Sequence, residues 1–141
     1  MITGMNPYLT FNGKAREAAA FYEKALEAKV IESQTYAEVE GMEIPPGAEE
    51  LIMHAYLKIG EMELMLSDTF PDSPDLEAPG SLVSIALSMS DTSSAAKTFH
   101  ALEAGGEVIM PMAETFFSPA YGQLRDRFGV LWHVVAYGEG Q

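Results

Sequence analysis

The same order of elements is written twice in this chain, and that limits the folds open to it. Residues 6–11 (NPYLTF) read as a short strand, punctuated by Asn12 and Gly13. Ala18, Phe21, Tyr22, Ala25 and Leu26 then recur at helical spacing, with Arg16, Glu17, Glu23, Lys24 and Glu27 mostly opposite, which predicts an amphipathic helix over 14–28. Residues 29–39 read as extended, and 40–49 (EGMEIPPGAE) as a loop built on two prolines and two glycines. Residues 51–59 and 61–67 form a hairpin turning at Gly60. The stretch 68–80 (DTFPDSPDLEAPG), with three prolines and four acids, reads as a connector. The order then returns: a strand over 82–89, a helix capped by Asp91 and carrying Ala95, Phe99 and Leu102 on one face, and a stop at Gly105 and Gly106. A strand over 107–112, a loop over 113–120 and a hairpin over 121–137 complete it. Letters repeat too, since ALEA occupies 25–28 and 101–104.

The prediction is an α+β fold of two tandem βαβββ modules, 1–67 and 81–141, joined by the linker 68–80 into one structural domain. Each module alone is too small to bury an adequate core. The modules must therefore pack together or against a second chain, and a homodimer is expected because open strand edges tend to pair.

Charge narrows the function classes. The chain carries 21 acids against 8 bases, a net charge of -13. Holding phosphates requires the opposite sign, so neither nucleic acid nor an anionic membrane is an expected partner. Acidity of this size either steers cationic ligands or only keeps the chain in solution. With no cysteine, disulfides, thiol catalysis and thiolate metal sites are excluded. The N-terminal MITGMNPYLTF lacks the basic and apolar regions of a signal peptide, and no stretch is long enough to span a bilayer, so a cytoplasmic protein is expected.

Three stretches carry a family resemblance. NPYLTFNGKAREAAAFYEKAL (6–26), MHAYLKIGEMELMLSD (53–68) and YGQLRDRFGVLWHV (121–134) resemble the PhnB-like branch of the vicinal oxygen chelate superfamily. That superfamily groups glyoxalase I, bleomycin-resistance proteins and extradiol dioxygenases, and PhnB-like members carry the label 3-demethylubiquinone methyltransferase-like. The resemblance implies the glyoxalase/bleomycin-resistance fold, in which each module curls its mixed sheet into a cup and two cups enclose a pocket. In the metal enzymes of the family, four side chains from the first and last strands of each repeat hold a divalent ion that stabilises developing negative charge.

Carried onto this chain, those four positions fall at Asn6 or Pro7, at Leu64 or Met65, at Ser84 and at His133. Only His133 is a good ligand, and one imidazole does not make a stable site. No metal and no cofactor are therefore expected. A different set, His54 and His133 with Glu63 or Asp68, has no support from spacing. His100 is expected to face solvent. His133 is the best candidate for a catalytic role, as a hydrogen-bonding or general-base group. The competing reading is a strand histidine satisfied by backbone or by Tyr8.

If His133 faces the cup, strand alternation puts Leu131 and Val135 beside it and sends Trp132 and Val134 toward the helix. Likewise Asn6, Tyr8 and Thr10 would share the cup face against Pro7, Leu9 and Phe11 in the core. Ser84, Ala86 and Ser88 would share it in the second module. Phe116, Phe117 and Tyr121 form an aromatic group beside it, which either stacks on a ligand or caps the core. Relatives carry tryptophan-glycine where Phe117 and Ser118 stand, and proline at Arg127, so ligand preference here can differ. Met53, Met62, Met65, Met110 and Met112 either line an adaptable cup or belong to the ordinary core. Asp126 is expected to cap a tight turn.

These residues favour a protein that binds a small molecule in a metal-free pocket. A metal-dependent lyase, isomerase or dioxygenase of the glyoxalase kind is the alternative. A methyltransferase is disfavoured, because the glycine-rich turn between strand and helix used to hold S-adenosylmethionine is missing.

Overall fold

The structure is a computed structural model in which residues 1–41, 43–70 and 83–137 are described. The chain divides into two compact units, Met1–Glu77 and Ala78–Gln141. The first contains β1 (Tyr8–Phe11), α1 (Ala15–Ala25), β2 (Lys29–Thr35), a 3-10 turn at Tyr36–Glu38, β3 (Ile52–Ile59) and β4 (Met62–Asp68). The second contains β5 (Ile85–Met89), α2 (Thr92–Glu103), β6 (Glu107–Ala113), β7 (Ala120–Arg125) and β8 (Leu131–Ala136). Each unit holds a four-stranded mixed sheet, ordered β1-β4-β3-β2 in the first and β5-β8-β7-β6 in the second. The pairs β1/β4 and β5/β8 are parallel and the others antiparallel. The two βαβββ modules of an α+β protein are thus present.

Several boundaries differ from the sequence reading. Helix α1 is shorter than 14–28, because Glu27 adopts φ 54 and Ala28 turns its N–H back to the Glu23 carbonyl. The extended stretch 29–39 ends at Thr35, where Glu38 bonds back to the Thr35 N–H and closes a turn. Strand β5 starts at Ile85, so Ser84 precedes it; Leu82 lies outside the described residues, as do positions 71–80 of the expected linker. Asp68 is not linker but the last residue of β4. Pro7 is exposed ahead of β1 instead of lying in the core, since the strand begins only at Tyr8.

Each helix covers one face of its own sheet. In the first module Ala18, Tyr22, Leu57 and Leu66 are fully buried. In the second, Phe99 and Leu102 of α2 meet Leu124, Trp132 and Val134 of β7 and β8 in the buried core. The opposite face of each sheet is only half-buried. Strand β8 shows this by strict alternation: Trp132, Val134 and Ala136 are buried, while Leu131, His133 and Val135 are half-exposed. None of Met53, Met62, Met65, Met110 and Met112 belongs to the buried core. Among the described residues, no helix is long and apolar enough to cross a membrane.

Candidate functional site

The half-buried face of the second sheet carries the candidates Tyr121 and His133, with Phe116 and Phe117 in the loop beside it. Tyr121, Gln123 and Arg125 project from β7 at alternate positions, and His133 projects from the neighbouring β8 opposite Gln123. What aims His133 is the turn before it. Asp126, only 3% exposed, accepts the N–H groups of Phe128 at 2.9 Å and Val130 at 3.0 Å through Oδ1. Its Oδ2 accepts Trp132 Nε1 at 2.8 Å. Asp126 therefore caps the turn as the sequence suggested, and also pins Trp132 on the helix side. Alternation then fixes its neighbour His133 on the open side.

On that side, Tyr121 Oη lies 2.6 Å from His133 Nδ1, and Gln123 Nε2 donates to Tyr121 Oη at 2.7 Å. Among the described residues the side-chain partner of His133 is Tyr121. The Tyr121 and His133 rings stack, with centroids 5.9 Å apart and planes at 29°. Phe117 meets Tyr121 edge-on at 5.1 Å, and Phe116 meets Phe117 edge-on at 5.2 Å. The loop behind them is held from within. Thr115 Oγ1 accepts the Ser118 N–H at 3.1 Å, and buried Ser118 donates Oγ to the Ala120 carbonyl at 2.8 Å. Phe116 is fully exposed and Phe117 is 44% exposed, so these rings do not cap the core.

The first module has a parallel pair. Tyr8 Oη reaches over β4 to His54 Nδ1 at 3.2 Å. Asn6, exposed and ahead of β1, donates Nδ2 to Glu63 at 3.4 Å. Glu63 also bonds Tyr56, which with lesser effects of burial and charge raises the Tyr56 pKa above its ordinary value. Thr10 and Ser84 are exposed and make no side-chain hydrogen bond among the described residues. His100 faces solvent and bonds Glu103 at 3.2 Å.

The donor set does not fit a metal ion. Leu64 is buried on the helix side and offers no donor, while Met65, on the open side, offers only a thioether. Asp68 is equally unsuited. It is 3% exposed, and its two oxygens accept the N–H groups of Ala15 at 2.9 Å and Ile52 at 3.0 Å. It ties the starts of α1 and β3 together. Among the described residues no three histidine or acidic side chains are grouped to hold an ion.

A profile of the family described as 3-demethylubiquinone-9 3-methyltransferase matches residues 3–135. The chain belongs to that family. Protein YjdN of Escherichia coli (strain K12) is 28% identical, with 92% of each chain covered. The crystal structure of protein PA1353 from Pseudomonas aeruginosa is 34% identical, covers 96% of this chain and 98% of its own, and superposes with a TM-score of 0.86. The PhnB protein from Bacillus cereus is 26% identical, with 95% and 99% covered and a TM-score of 0.79. At the level of fold alone, a glyoxylase/bleomycin resistance protein/dioxygenase domain from Frankia sp. EAN1pec superposes with a TM-score of 0.70 at 14% identity, covering 100% of this chain and 96% of its own. The PhnB-like resemblance and the glyoxalase/bleomycin-resistance fold are therefore established.

Sequence reasoning missed three participants. Gln123 is not singled out by sequence, although its place two positions from Tyr121 and opposite His133 flags it once β7 and β8 are paired. The bond from Tyr8 to His54 crosses a strand whose place in the sheet the sequence does not state. The anchoring role of Asp68 joins residues far apart in the chain.

Proposed function

We propose that this protein binds a small molecule on the open face of the second sheet, against Tyr121, Gln123 and His133, without a metal ion. The observation that carries the reading is the chain from Gln123 through Tyr121 to His133, ordered on a half-buried face and flanked by the exposed rings of Phe116 and Phe117. A few fixed polar groups among apolar and aromatic ones make a small-molecule site. Ser84, exposed ahead of β5 in the same module, is a further candidate contact.

A metal-dependent lyase or isomerase is the second reading, favoured by the shared fold and opposed by the donor set. Methyl transfer, which the family description names, finds no support in the turns before the helices. Asn12-Gly13-Lys14 leads into α1 and Ser90-Asp91 into α2, and neither is glycine-rich.

Thermal unfolding in a panel of aromatic acids, amides and quaternary ammonium compounds tests the binding reading. At least one compound should raise the midpoint of the wild-type protein, as any ligand selective for the folded state does. Tyr121→Phe and His133→Gln should lose most of that rise. No rise with any compound, or a rise that survives both substitutions, would exclude this face. Elemental analysis of untagged, dialysed protein addresses the second reading, and one divalent ion per chain would establish it.

A further inference from the structure

The hydrogen bonds around His133 have a direction, and the direction selects the ligand. Gln123 Nε2 donates to Tyr121 Oη at 2.7 Å, which occupies the tyrosine oxygen as an acceptor. A tyrosine hydroxyl has one hydrogen to give. At 2.6 Å from Oη, His133 Nδ1 is the acceptor in place. A neutral imidazole carries its proton on one nitrogen only, so if Nδ1 accepts, Nε2 bears the hydrogen. Among the described residues, Nε2 of His133 has no hydrogen-bond partner. The opposite assignment would make Tyr121 Oη accept from both neighbours and leave its own hydrogen directed at neither.

We infer, granting the binding site proposed above, that His133 presents Nε2–H as a donor and that the ligand is a flat ring bearing a carbonyl or carboxylate oxygen. The ring requirement follows from the exposed aromatic run. Phe116 and Phe117 leave aromatic surface open beside Tyr121, itself stacked on His133, and a planar ligand gains contact there while its oxygen meets Nε2–H. In this tautomer the nitrogen left open is a donor, so the resting imidazole does not offer a lone pair there for proton abstraction. The general-base role considered from sequence gives way to a role in orienting the ligand. The pair in the first module lacks this fixed direction, because no third group is bonded to Tyr8 among the described residues.

The test is a long-range proton–nitrogen correlation spectrum of nitrogen-15-labelled protein, recorded at a pH where the histidines are neutral, with His133→Gln to assign the signals. His133 should show a protonated Nε2 and a bare Nδ1. Titration of the same sample with benzoate and benzamide should shift Nε2, while phenyltrimethylammonium, which has no acceptor, should not. Tyr121→Phe frees Nδ1 to carry the proton and should weaken benzoate or benzamide binding about tenfold, the loss expected for one hydrogen bond. A bare Nε2, with Gln123 turned to accept from Tyr121, would overturn the donor assignment even if a ligand binds this face. A protonated Nε2 that responds only to the ammonium probe would overturn the ligand class while leaving the binding site intact. Silence from all three probes would overturn the ligand class and count against the binding site, with the donor assignment unaffected.

Discussion

Asp68 and Asp126 do the same work in the two modules. Each is buried, and each spends both carboxylate oxygens on N–H groups. Asp126→Ala should cost about 3 kcal/mol, because it strips acceptors from three donors at once, and denaturant unfolding would read it. Its indole bond also makes Asp126 a positioning residue for His133, so the variant should broaden the His133 resonances in the folded protein. Tyr36 gives a prediction in pH. Burial raises its pKa above 10.0, helped by the charge of Asp68 and the nearby Tyr8. The folded state thus holds the phenolic proton more tightly than the unfolded chain does. That stability is complete below the ordinary tyrosine value and is lost as pH rises through the folded value. The alkaline limb of the stability profile should therefore flatten in Tyr36→Phe, whereas an unchanged limb would assign the loss to other groups.

Period-two alternation made the faces of β8 readable, and with them the placing of His133 beside Leu131 and Val135. It failed at the sheet edges. Strand β6 is exposed along almost its whole length, so its residues carry no contrast between faces. At β1, Pro7 and Asn6 looked like strand residues and are not, since the pairing with β4, far along the chain, begins at Tyr8. Asp91 was readable as a cap because its partner is local: Ser94 N–H donates to it at 2.7 Å. Gly122 was not readable at all. It lies buried in β7, where an added Cβ would sit 2.7 Å from Phe99 and 3.2 Å from the Met112 Cα. The closeness of α2 to β7 depends on that missing methyl. Gly122→Ala should cost about 1–3 kcal/mol as an overpacking change, measurable as a lower thermal midpoint. A neutral result would show that Phe99 can swing aside.

Across the whole molecule, duplication gives two sheets of one topology whose open faces have diverged. One presents Tyr8 with His54 and an acidic neighbour in Glu63; the other presents the Gln123, Tyr121 and His133 chain beside exposed phenylalanines. The repeat itself could be read from one sequence because local patterns define it. The difference between the faces could not, because each hydrogen bond on them depends on which strands lie side by side. That difference is the reason we propose the second sheet, and not the first, as the binding face. Chemical-shift mapping tests it most directly, with benzoate added stepwise to labelled protein and every backbone amide followed. The largest changes should cluster on Tyr121, Gln123, Leu131, His133 and Val135, with the phenylalanine loop moving alongside. Changes gathered instead around Tyr8, His54 and Glu63, or none with benzoate, benzamide and phenyltrimethylammonium alike, would contradict it.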